Sequence, residues 1–115
     1  MVVGTTTQGL ANALMQVLDE IEPMTYNTTI ANAEAKLLPW LTIADAIPET
    51  VRPKVFGGVE VSAGVGSGVS YADTAGKNSK TGVLSDITTI EADFYGHPSF
   101  SGFFIETESA WVALP

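Results

Sequence analysis

The stretch Val59-Glu60-Val61-Ser62-Ala63-Gly64-Val65-Gly66-Ser67-Gly68-Val69-Ser70-Tyr71 decides how the chain is read. Its odd positions carry Val59, Val61, Ala63, Val65, Val69 and Tyr71, with Ser67 the one polar member. Its even positions carry Glu60, Ser62, Gly64, Gly66, Gly68 and Ser70. Alternation with a period of two marks a strand with one buried face. The glycines allow a hairpin bend, a bulge or the close approach of another backbone.

Downstream, Asp73 to Gly82 is polar and turn-rich, and predicts an exposed, mobile loop. Further strands are predicted over Ile87–Tyr95, Gly102–Glu108 and Ala110–Leu114, with Gly96-His97-Pro98-Ser99 as the turn between the first two. Upstream, Ile47-Pro48 to Arg52-Pro53 is a stiff connector, because each proline turns the residue before it away from helix.

The N-terminal part has a helical period. Leu10, Leu14, Val17, Leu18 and Ile21 fall on one stripe of a helix over Gln8–Glu22, with Thr7 as N-cap and Pro23 as stop. Asp19, Glu20 and Glu22 crowd its last turn, where the macrodipole favours cations. A second helix begins near Thr28 or Thr29 and carries Ile30, Leu37, Leu38, Leu41 and Ala44. Pro39 inside it predicts a kink or a split. The predicted architecture is α+β: one domain, 1–115, with a polar arm at 1–7, a helical half at 8–47 and a strand half at 54–115. The N-terminal helices would pack on a C-terminal antiparallel sheet.

Composition narrows function. Thirteen acids against five bases leave a net charge of −8. Arg52, Lys36, Lys54, Lys77 and Lys80 are the whole basic supply, too few and too scattered to replace counterions along phosphates. Nucleic acid and an anionic membrane surface are therefore not expected partners. No cysteine is present, so disulfides, thiolate nucleophiles and cysteine metal sites are excluded. The start has neither a basic n-region nor a long apolar core, so no signal peptide is expected. No apolar run is long enough to span a bilayer. The expected location is a virion or the cytoplasm of a host cell.

Several motif-like strings fail on spacing. Gly76-Lys77 is not a phosphate loop, because Tyr71 and Asn78 stand where glycine and Ser/Thr are needed. Asp73-Thr74-Ala75-Gly76 reads as a polar turn rather than a GTPase or aspartic-protease segment. Gly64-Val65-Gly66-Ser67-Gly68 lacks the dinucleotide-turn spacing. Asn27-Thr28-Thr29 fits a glycosylation sequon, but a helix cap explains the same letters. His97, the lone histidine, would need an orienting acid to act as a base; Asp93 and Glu106 are candidates, and a solvated turn is the expectation.

Two sets of residues stand out. If the last strands pair as a hairpin, Glu91 and Asp93 meet Glu108 and Glu106 on one face. Such a face would take calcium or a basic partner, while a shifted register leaves the acids solvated. The adjacent Phe103 and Phe104, with Trp111, are candidate interface residues, since neighbours in a strand face opposite sides.

With no motif for catalysis, metal or cofactor, the expected function is a non-enzymatic structural assembly protein. A bacteriophage virion component, such as a capsid decoration or other head or tail protein, fits best. It would associate with itself as a homo-oligomer and with another structural protein. The alternatives are a small binding or adhesion module using the acidic face, and a cofactor-free enzyme built from Asp45, Glu49, Tyr26 and Tyr71.

Overall fold

The computed structural model describes residues 7–115. The predicted polar arm lies outside the described residues, apart from Thr7, the first residue of helix α1 (Thr7–Met15). The helix ends well before the predicted Glu22. Beyond Met15 the chain turns, and Glu20–Ile21 become strand β1. The acids at 19, 20 and 22 oppose a helix C-terminus, while Ile21 gains a place beside Val55 in the sheet.

Helix α2 (Ile30–Asp45) runs unbroken through Pro39, so the predicted split does not occur. It buries Leu37, Leu41 and Ala44. Asn27 turns the chain into it by accepting the Thr29 amide at 2.8 Å. A short 3-10 turn (Glu49–Val51) then leads to strand β2 (Lys54–Glu60).

The decisive stretch is strand only to Glu60. Gly64, Gly66 and Gly68 have φ of +86°, +132° and +84°, a region closed to most side chains and incompatible with a continuing ladder. The segment therefore loops out, and the Tyr71 amide returns to the Glu60 carbonyl at 2.9 Å. The alternation arose from the glycines and from buried Val59, Val61 and Tyr71, which share a core cluster without sharing a strand.

The predicted strand over Ile87–Tyr95 is instead the second half of helix α3 (Lys80–Asp93). Ser79 caps it by accepting the Gly82 amide at 3.1 Å. Val83, Ile87, Ile90 and Phe94 are buried on one helical stripe, which outweighs the β-propensity of Ile87-Thr88-Thr89-Ile90. Strand β3 (Phe100–Glu106) starts earlier than predicted, and Ala110–Leu114, read as a strand, belongs mostly to helix α4 (Glu108–Ala113), with Thr107 as its cap.

The predicted antiparallel sheet is therefore wrong. The sheet has order β1-β2-β3, and both strand pairs are parallel. The physical reason is α3: a helix between β2 and β3 returns the chain to the same end of the sheet, whereas a tight turn would have reversed it. α2 makes the same crossover between β1 and β2. Both crossover helices pack on the face bearing Val55, through Leu37, Leu41, Ile90 and Phe94. A second cluster joins Val59, Val61, Tyr71, Val83, Ile87 and Leu114.

Two adjacent glycines in β2 let aromatic rings lie on the strand. A Cβ on Gly57 would lie 2.5 Å from Phe103, and one on Gly58 would lie 2.5 Å from Phe104 and 2.7 Å from Tyr26. Among the described residues no helix is long and apolar enough to cross a membrane.

Candidate functional site

The clearest chemical constellation lies between the end of α2 and the turn entering β3. Asp45 is the last residue of α2, where a carboxylate faces the negative end of the macrodipole and needs a partner. It has two. His97 Nδ1 lies 2.6 Å from Asp45 Oδ2. The Ser99 hydroxyl and amide both donate to Asp45 Oδ1, at 2.5 and 2.9 Å. Burial pushes the Asp45 carboxyl up, but the hydrogen bonds from the Ser99 side chain, His97 and the Ser99 amide outweigh it, and the net shift is downward.

Because a carboxylate only accepts, the Asp45 contact assigns the neutral-ring proton to Nδ1 and leaves Nε2 as the acceptor. The ring packs edge-on against Phe94, with centroids 5.5 Å apart. An open hollow of about 510 Å³ lies beside it, lined by Glu91, Phe94, Tyr95, His97, Pro98 and Phe100 among others. An imidazole oriented in this way can take a proton or offer one nitrogen to a metal.

The trio is not a nucleophilic triad. In a triad the serine bonds to histidine, and the acid lies on the far side of the ring. Here Ser99 bonds to the acid itself and is only 2% exposed. The geometry fits a clamp that joins α2 to the turn before β3. The expectation of a solvated His97 is corrected: Asp45, and neither Asp93 nor Glu106, is its acid.

The glycine loop forms a second polar centre. The amides of Gly64 and Gly66 donate to the two Asp73 carboxylate oxygens at 3.1 and 2.7 Å. These bonds, led by Gly66, hold the Asp73 carboxyl below its ordinary range. A ring of amides around a carboxylate is an anion nest, and here the chain's own acid fills it. Thr74 accepts the Gly68 amide at 3.0 Å. Lys77 reaches Asp86 and the Thr28 carbonyl, both at 2.6 Å, and Tyr71 donates to Asp86 at 2.9 Å. Burial, then Asp86, pushes the Tyr71 hydroxyl up. The loop predicted to be exposed and mobile over Asp73–Gly82 is thus tied down at Asp73, Thr74 and Lys77.

At the carboxyl ends of β2 and β3, the usual ligand side of a parallel sheet, there is an apolar hollow of about 190 Å³. Asn78 is the one polar side chain among Val61, Ala63, Ala72, Ala110, Ala113, Leu114 and Pro115 that line it. Small-molecule sites usually run from roughly 300 Å³ with several convergent polar groups.

The four acids expected to share a face are dispersed. Glu91 and Asp93 lie on α3, Glu106 ends β3, and Glu108 opens α4. The hairpin that would gather them does not form. Asp93 instead meets Glu34 of α2, whose carboxyl is raised by burial and then by that neighbour. Glu106 is the register partner of Glu60, and with Glu60 and Glu22 it acts on Tyr26, whose hydroxyl is raised first by burial. Among the described residues no group of three or more acids or histidines is placed to hold a metal. Glu49 is exposed on the 3-10 turn.

Phe103, Phe104 and Trp111 are each half-buried. Phe103 lies over Gly57 and Phe104 over Gly58, while Trp111 packs beside the Val59 cluster and carries the Lys80 ammonium 5.9 Å from its ring centroid.

No spacing signal connects Asp45 to His97, which are 52 residues apart. One cue was readable: an acid in the last turn of a helix calls for a cation or donor. Comparison of the chain with family models, with curated proteins and with solved structures finds no match.

Proposed function

We propose that the chain is a non-enzymatic structural assembly protein that works through surface contacts, as a component of a bacteriophage virion such as a capsid decoration or other head or tail protein. It would reside in the virion or in the host cytoplasm. One observation carries the assembly reading. Leu10 and Leu14 on α1, and Val17 and Leu18 in the turn after it, are 45%, 36%, 66% and 39% exposed. α1 instead buries Ala11 and Met15. Exposed aliphatic side chains gathered in one short segment are a feature of contact surfaces. The virion setting is supported by composition alone: a short chain without cysteine, with few charged residues and without a catalytic motif.

The test is the solution mass of the purified chain by light scattering, with and without calcium. A discrete oligomer that ignores calcium supports this reading. A monomer at all concentrations overturns it, and a monomer that calcium stabilises favours a binding module.

The Asp45–His97 pair favours a second reading, general-base chemistry at the hollow beside His97. It ranks below assembly because the neighbouring serine is buried against Asp45 and the hollow is open. Hydrolysis of an activated ester faster than free imidazole, lost in His97→Gln, would support it; a rate matching free imidazole removes it.

A further inference from the structure

We infer that the exposed aliphatic segment of α1 and its closing turn is covered by the same segment of a second copy, with the two helices antiparallel about a twofold axis. The inference rests on the assembly reading and names its contact.

A chain of net charge −8 repels its own copies, so a homotypic contact belongs where charge is absent. From Thr7 to Leu18 the sequence Thr-Gln-Gly-Leu-Ala-Asn-Ala-Leu-Met-Gln-Val-Leu holds no ionisable side chain. α1 closes in a turn in which the amides of Val17 and Leu18 both bond to the Leu14 carbonyl at 3.1 Å, which keeps Leu18 next to the end of the helix. Leu10 and Leu14 on α1, with Val17 and Leu18 in the turn that closes it, are the exposed aliphatic side chains of this segment, and Leu14 is near its middle.

The ends of the segment differ in sign. Asp19, Glu20 and Glu22 follow its C-terminal end, and all three are exposed. The ion pairs among the described residues are Lys77–Asp86 and Asp45–His97, so none engages this run. No base precedes Lys36 in the chain. The opposite end is the α1 N-terminus, where the macrodipole is positive. A parallel pair would bring both acidic runs together. An antiparallel pair separates them and sets each beside the positive end of the other helix. Isologous contacts of this kind close at two copies and leave the rest of the surface free for a larger assembly.

The experiment uses sedimentation equilibrium of the full chain, and disulfide trapping in a protein with no cysteine of its own. Leu14→Glu should raise the dimer dissociation constant more than about tenfold, because it would bury an unpaired charge, whereas Leu14→Met should retain the dimer. Circular dichroism checks that each variant is folded. Leu14→Cys should crosslink to itself on oxidation. Leu10→Cys and Leu18→Cys should each crosslink poorly alone and well when mixed. Efficient self-crosslinking of all three single variants would mean a parallel contact and overturn the proposal. A wild-type oligomer untouched by Leu14→Glu would overturn this contact while leaving the assembly reading standing. A wild-type monomer would overturn both.

Discussion

Asp45 and His97, far apart in sequence, meet at 2.6 Å across the junction of α2 and the β3 turn. Ser99 completes the contact from the other side of the carboxylate. The three residues tie a helix end to the start of an edge strand, so their main measurable consequence is stability.

The folded-state pKa of Asp45 is lowered, so its contribution is present above the unfolded value, about 3.9, and is lost as pH falls through the folded value. Asp45→Asn should cost about 2 kcal/mol at pH 7, the scale of hydrogen bonds to a charged group. In urea titrations the gap between wild type and variant should narrow as pH is lowered below about 3.9. A gap that is constant with pH would mean the charge is not what matters.

Glu34 should behave in the opposite sense. Its folded-state pKa is raised, so the folded chain holds this proton more tightly than the unfolded chain. The penalty is absent below the unfolded value, about 4.3, and grows as pH rises through the folded value. Glu34→Gln, which keeps the shape and removes the charge facing Asp93, should therefore raise the melting temperature at pH 7 and leave it unchanged near pH 3. Thermal melts across that range check it. Equal effects at both ends would deny the carboxyl pair.

Gly57→Ala and Gly58→Ala should each destabilise by about 1–3 kcal/mol, the usual cost of overpacking. The added methyl meets the Phe103 ring in one case, and the Phe104 and Tyr26 rings in the other. Combining Gly58→Ala with Phe104→Leu should recover part of the loss. A strictly additive double mutant would show that the two residues do not compete for space.

Asp73→Ala should act locally. With their acceptor gone, the amides of Gly64 and Gly66 should exchange hydrogen faster, while amides in the core of α3 keep their rates. Acceleration throughout the molecule would mean that the nest supports the global fold.

Legibility followed the range of the physics. The α2 period was readable, because Leu37, Leu41 and Ala44 face one way within a few turns of one helix. The α3 period was readable too, at Val83, Ile87, Ile90 and Phe94, but the β-branched run in its middle masked it. The Val59–Tyr71 alternation misled for a different reason. Glycine satisfies an alternating pattern without committing its backbone to strand, and at positive φ it breaks the ladder. At the candidate site, His97 and Asp45 were each noticed, but their pairing depends on a crossover that no local pattern records.

By itself the sequence determined the acidic balance, the absence of thiol chemistry and the start of α2 beside Thr29. These follow from composition and from interactions within a few residues, which the chain carries wherever it goes. Tertiary structure alone decided that the strands run parallel, that Phe103 and Phe104 fill the hollows over Gly57 and Gly58, and that Asp45 meets His97. It also decided which face of α1 stays in water. Each of these depends on the packing of α2 and α3 across one sheet, where the burial of distant residues together outweighs local preference.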